Sequence, residues 1–165
     1  MSKKVHLIYG EEKFLVSREL ARLKNGVDDF NLEVLEGSTA NISAIIGALR
    51  SAPMWGGERV VIINDSGLLK PLKKSLKPGQ EEENIELENE EADDHNSRDK
   101  QLLMDAIGSI SEGITAVFVA EDVDKRLKFG KWLMKHARVI ECKRINLWDS
   151  GQISAFIMET LSRDN

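Results

Sequence analysis

The chain is expected to form an α/β fold: a three-layer sandwich built on a five-stranded, mainly parallel sheet. Three observations lead there. Short apolar runs alternate with helix-spaced stripes along most of the sequence, which implies right-handed crossovers between neighbouring strands. The runs are nearly continuous in Val, Ile and Leu, as in strands covered on both faces by helices. The first run ends in a glycine turn that leads into a helix, the entry to a βα unit. At 165 residues there is room for one such domain with a real core and little more.

The elements follow in order. Val5 to Tyr9 reads as the first strand, and Val16, Leu20 and Leu23 as one face of a helix that stops at Asn25-Gly26. Leu32 to Leu35 is the second strand. After Asn41, residues Ile42, Ile45, Ile46 and Leu49 follow i, i+3, i+4, i+7 spacing, with Gly47 the weak point of that helix. Val60 to Ile63 is the third strand. Between Lys70 and Lys100 periodicity disappears; Pro71, Pro78 and Gly79 and then an acidic run mark an exposed insertion, about 77–100, expected to be disordered. Leu102, Leu103, Ala106, Ile107 and Ile110 form the next stripe, and Ile114 to Ala120 the fourth strand. A further helix carries Leu127, Phe129, Trp132, Leu133 and Ala137, and Val139 to Cys142 is the fifth strand. The domain is therefore drawn as 1–147. Residues 148–165 form a last helix, capped by Asp149 or Ser150, whose stripe of Ile153, Phe156, Ile157, Thr160 and Leu161 either folds back on the sheet or begins a following domain.

The first turn has the outline of a phosphate-binding loop without its working residues. Such a loop runs G-x-x-x-x-G-K-[ST], with backbone N–H groups around the phosphates, a lysine to neutralise them and a hydroxyl for Mg²⁺. Counted from Gly10, the last three positions are Leu15, Val16 and Ser17. Leu15 blocks close backbone approach, Val16 has no charge, Glu11 and Glu12 repel polyphosphate, and Lys13 is on the wrong turn. An ordinary first βα unit is the plainer reading. The third strand ends in Asn64-Asp65, where an acid could hold Mg²⁺ in an NTPase, but without the lysine there is no phosphate to serve.

The turn from Ser51 to Arg59 carries the most unusual local chemistry. Pro53 pushes Ala52 out of helical geometry and ends the helix, and Gly56-Gly57 frees the backbone before the strand. Between them stand Met54 and Trp55. They are either a plug under the sheet edge or an anchor for a pocket on a partner, since Trp beside an adaptable Met has the character of an interface hot spot.

Charge and composition narrow the classes. The net charge is −5, but Glu81, Glu82, Glu83, Glu86, Glu88, Glu90, Glu91, Asp93 and Asp94 supply nine acids in one run. Without them, 23 basic residues face 19 of the 28 acids, so the remainder is mildly positive. This lacks the clustered basic patch of an autonomous DNA binder. The acidic run is a solvated spacer, an interaction tail or an autoinhibitory DNA mimic. Cys142 is alone, so no intrachain disulfide can form; with no signal peptide or membrane span in view, the cytoplasm is the expected location.

Catalytic constellations are missing. His6, His95 and His136 are scattered and form no metal spacing, and no cofactor is implied. His136 reads as structural. Ser17, Ser51 and Ser66 lie in no G-x-S-x-G elbow, and Cys142 reads as a small core residue. Asp122, Asp124, Lys125, Arg126 and Lys128 follow the fourth strand, as a solvated loop or as a contact surface at the carboxyl end of the sheet. A receiver-type signalling domain shares the βα alternation, but Asp65 and Asp122 do not supply its acid cluster.

Taken in order, five stretches resemble the N-terminal domain of the delta subunit of the bacterial DNA polymerase III clamp loader. They are Leu7-Ile8-Tyr9-Gly10-Glu11-Glu12-Lys13-Phe14-Leu15, Phe30-Asn31-Leu32-Glu33-Val34-Leu35-Glu36-Gly37, Leu49 through Val61, Phe118 through Arg126, and Val139-Ile140-Glu141-Cys142-Lys143. The resemblance implies an AAA+/RecA-like fold with a degenerate P-loop at Gly10, Leu15, Val16 and Ser17. It also implies a subunit that binds the ring-shaped sliding clamp (the beta subunit) and holds it open, while neighbouring subunits hydrolyse ATP and place the ring on primed DNA. In that family a hydrophobic pair at this helix-to-strand turn enters a pocket on the clamp; the positions fall on Met54 and Trp55, flanked by Ala52, Pro53 and Gly56, where the family more often has Leu or Phe. Lid and collar domains follow in the family and join the loader ring. Residues 148–165 would be the start of the lid, so this chain is expected to bind the clamp, to meet DNA only indirectly, and not to assemble a loader. The resemblance places it in the DNA polymerase III holoenzyme, a DNA-directed DNA polymerase and hence a nucleotidyltransferase, yet nothing here could perform that chemistry. The alternative is an NTPase with an unconventional phosphate loop.

Overall fold

A computed structural model of the chain describes residues 4–36, 41–64, 66–69, 90–144 and 154, with backbone alone at 90–97. Five strands and four helices alternate: β1 (Val5–Tyr9), α1 (Lys13–Lys24), a 3-10 turn (Asp29–Asn31), β2 (Leu32–Glu36), α2 (Ile42–Arg50), β3 (Arg59–Asn64), α3 (Glu90–Gly108), β4 (Ile114–Ala120), α4 (Lys128–His136) and β5 (Arg138–Glu141). The strand order is β2-β3-β4-β1-β5 and every pairing is parallel, with Leu7 opposite Phe118 on one side and Val139 on the other.

Strand alternation divides the core into two layers. In β1, Val5, Leu7 and Tyr9 face one side with Phe118 of β4 and Val61 and Ile63 of β3, against α2, α3 and α4 through Ile45, Leu49, Leu103, Ile107, Phe129 and Leu133. Ile8, Val60, Ile62 and Val117 face the other side, covered by α1 through Leu15, Val16, Leu20 and Leu23. The expected three layers are present. Each buried Leu, Ile or Phe contributes about 1.5–3 kcal/mol of transfer free energy, so the strand runs that suggested strands are also what holds the layers together.

Local chemistry sets the helix ends. Asn41 caps α2 by accepting from the Ala44 N–H at 2.8 Å. Arg22 and Lys24 lie in the last turn of α1, where cations complement the helix dipole, and Gly26 at φ +81 reverses the chain. Within the expected insertion, residues 90–100 belong to α3. Residues 90–100 carry no apolar stripe, so apolar periodicity does not mark them as helix. Residues 70–89 and the final stripe at 153–161, apart from Ser154, lie outside the described residues. On α3 the buried face is Leu103, Met104, Ala106 and Ile107, while Leu102 is exposed.

Candidate functional site

The connection between α2 and β3 is built to project side chains. The helix ends at Arg50, two residues before Pro53's predecessor is forced from helical geometry, and the Ser51 hydroxyl donates back to the Gly47 carbonyl at 2.9 Å. Trp55, Gly56 and Gly57 then adopt φ of +60, +81 and +86. Glycine takes such angles freely; for a tryptophan the left-handed region costs about 1–2 kcal/mol. At this tip Trp55 is 94 % exposed and Met54 52 %. The plug reading is not what is observed: neither side chain is tucked beneath the sheet edge.

One residue that sequence reasoning passed over holds this loop. Asn31, at the end of the 3-10 turn and 2 % exposed, accepts from the Met54 N–H at 2.7 Å and donates to the Met54 and Gly56 carbonyls at 3.2 and 3.3 Å. From behind, the Arg59 N–H donates to the Gly113 carbonyl at 2.7 Å, and a Cβ at Gly113 would come to 3.2 Å from the Gly57 carbonyl. The Arg59 guanidinium also pairs with Glu33 of β2. Phe30, next to Asn31, is itself 74 % exposed. The only local signal was a polar residue set between Phe30 and Leu32 at the mouth of an apolar strand.

The amides of the first turn are engaged within the chain. The Gly10 N–H donates to the Ala120 carbonyl and the Glu12 N–H to the Cys142 carbonyl, both at 3.2 Å, and the Phe14 N–H to the Glu12 carboxylate at 3.4 Å. These are amides that a phosphate loop would turn toward its ligand. Gly10 has φ +140, and a Cβ there would lie 2.1 Å from the Cys142 carbonyl oxygen, so this glycine exists for the approach of the chain leaving β5. Leu15 and Val16 pack into the α1 layer as core residues. Ser17 lines an open cleft of about 280 Å³ with Gly10, Lys13, Val16, Asn64 and Glu121. Asp65 lies outside the described residues.

The charged loop after β4 is bound up with itself. Asp124 accepts from the Arg126 backbone N–H at 2.8 Å and from its guanidinium at 3.0 and 2.9 Å, which holds the carboxyl down at about 2. Asp122 accepts from the Val123 N–H, and the Lys128 ammonium donates to Gln101. Its hydrogen bonds order the entry to α4. His136 stacks on Trp132 with ring centroids 4.5 Å apart and bonds the Trp132 carbonyl, a structural place, as expected. Cys142 is 2 % exposed, just past β5, and burial pushes its thiol up. A larger cavity of about 410 Å³ opens at the other end of the sheet, where Lys4, Arg22 and Arg138 alternate with Glu19 and Glu58. Among the described residues no group of three or more His, Cys, Asp or Glu could hold a metal ion, and no helix is long and apolar enough to cross a membrane.

Comparison with known proteins gives the family. The family of the DNA polymerase III delta subunit matches residues 6–143. The DNA polymerase III subunit delta of Bacillus subtilis (strain 168) is 27 % identical over 163 residues, which cover 94 % of this chain and 42 % of that protein. The solved structure of the Bacillus subtilis DNA clamp loader delta protein (YqeN) superposes with a TM-score of 0.69 at 23 % identity, over 96 % of this chain and 44 % of that one. The chain thus spans under half the length of both, and the second shows a shared fold.

Proposed function

The chain belongs to the DNA polymerase III delta-subunit family, accessory clamp-loader subunits of DNA replication, and from that premise we propose that this AAA+-type domain binds the sliding clamp through Met54 and Trp55 and helps hold the ring open. One observation carries the reading: an indole 94 % exposed at the tip of a loop whose backbone is held on both sides. Burying a tryptophan on a partner removes some 150–250 Å² from water, about 4–6 kcal/mol before the costs of association. Met54 beside it can adapt to the wall of the receiving pocket. Ala52, Pro53 and Gly56 flank the pair and complete the clamp-binding surface.

Ring opening in this reading is differential binding. A loop that docks better on the open clamp than on the closed one shifts the ring by the difference between the two affinities. Loading on primed DNA and ATP hydrolysis belong to the assembled loader and not to this domain. Against an NTPase stand the engaged amides of Gly10 and Glu12 and the hydrophobic packing of Val16. In a titration against purified clamp, Met54→Ala with Trp55→Ala is expected to lose about 2 kcal/mol or more, some thirtyfold in affinity. Equal binding by parent and variant would end the proposal.

A further inference from the structure

We propose that Asn31 is the positioning residue of this docking loop: its buried carboxamide grips the main chain on both sides of Trp55 and presents the indole already ordered for binding. The inference rests on the reading of Trp55 as an anchor. It starts from an imbalance in the fold. A tryptophan at φ +60 and 94 % exposed is a costly choice for a turn, since glycine or asparagine adopts that backbone more easily and leaves no apolar ring in water. Strain of this kind persists only where the surroundings over-determine it.

Asn31 supplies that determination. At 2 % exposure its amide needs partners inside the protein, and those it has are main-chain groups of the loop. The Met54 N–H and carbonyl bind one side of Trp55, at 2.7 and 3.2 Å, and the Gly56 carbonyl binds the other at 3.3 Å. The three bonds bracket the strained residue without touching its side chain. Gly113 closes the far side against Gly57 and Pro53, with room for no Cβ at ordinary distance from the Gly57 carbonyl. Since Asn31 belongs to the turn before β2, the loop tip is referenced to the sheet and not to the end of α2. The physical gain is entropic: residues 54–56 need not be ordered when a partner arrives, and ordering even one backbone position on binding weakens affinity by roughly tenfold.

The test is a double-mutant cycle on the full 165-residue chain, titrated against purified cognate sliding clamp: parent, Asn31→Ala, Trp55→Ala and both together. Asn31→Ala is expected to weaken binding about tenfold in the parent and less than about twofold in the Trp55→Ala background, where there is no indole left to present. Unchanged affinity in Asn31→Ala would overturn the proposal, and so would the same loss in both backgrounds, the mark of a merely structural residue. If Trp55→Ala binds as tightly as the parent, the anchor reading fails and this inference with it, a distinct result. Should Asn31→Ala not fold, backbone relaxation of the unaltered chain decides: amide order parameters at residues 54–56 near 0.85, as rigid as β3, support the grip, and values below about 0.6 refute it.

Discussion

Replacing Gly10 with alanine tests what the first turn is for. The added Cβ would stand 2.1 Å from the Cys142 carbonyl oxygen and 2.5 and 2.9 Å from its carbonyl carbon and Cα, all backbone atoms that cannot swing aside. Reaching even 3.0 Å requires the two chains to part by about 0.9 Å, the difference from 2.1 Å. Two hydrogen bonds cross that junction: Cys142 N–H to the Tyr9 carbonyl at 2.7 Å and Glu12 N–H to the Cys142 carbonyl at 3.2 Å. Losing one or both at about 1 kcal/mol each, with about 1–2 kcal/mol for the backbone angle at alanine, comes to about 2–4 kcal/mol. That is a large fraction of the 5–15 kcal/mol typical of a domain. Urea unfolding followed by circular dichroism should show the midpoint falling with the slope unchanged. A loss under about 1 kcal/mol would refute the reasoning, since the β5 end would then have yielded freely and the glycine would need another explanation.

Three further outcomes follow from the same geometry. Phe129→Ala removes a ring that is 1 % exposed and meets Phe118 edge-on at 5.8 Å, and should cost about 3–5 kcal/mol in thermal or denaturant unfolding. Mg-ATP should leave the melting temperature unmoved at millimolar concentration; micromolar binding by calorimetry would instead raise stability by several kcal/mol and restore the NTPase reading. Because burial raises the Cys142 thiol above its ordinary value of 9.0, its contribution is full below about pH 9 and declines as the pH rises past it. Iodoacetamide at pH 8 should therefore label Cys142 only as fast as the chain opens, and labelling at the rate of a free thiol would contradict its burial.

The sheet was legible in the sequence because both faces of it are buried. Val60 to Ile63 is apolar at every position and Val5 to Tyr9 at all but His6, a pattern set by the helices on each side, and the observed strands agree with the expected ones to within about a residue. Residues 90–100 of α3 were not legible as helix, since they carry no apolar stripe. The tip at Met54 and Trp55 stood out through Pro53 and the glycine pair, which are local signals. Asn31 did not, because its partners lie 23 and 25 residues away and a hydrogen bond to a carbonyl leaves no mark on the sequence of the residue that carries it. The role of Gly10 was half visible. The missing lysine could be read from the chain, whereas the contact with Cys142 joins its two ends and appears only in three dimensions.

The strand order also governs how the domain can be made. β1 sits between β4 and β5, the last two of the described strands to be synthesised. A nascent chain thus carries Val5 to Tyr9, a largely apolar segment, with both edges open until residue 120 has left the ribosome and one edge open until residue 141 has. β2 and β3 can pair early, but they cannot form the centre of the sheet alone. Folding then waits on closure across more than a hundred residues, a slow step in which an unpaired strand invites chaperones or aggregation. The length of the acidic stretch affects this little, since doubling a loop adds only about 0.6 kcal/mol to its closure. Expression at lower temperature, or with a holdase, should raise the soluble yield more than any shortening of that stretch.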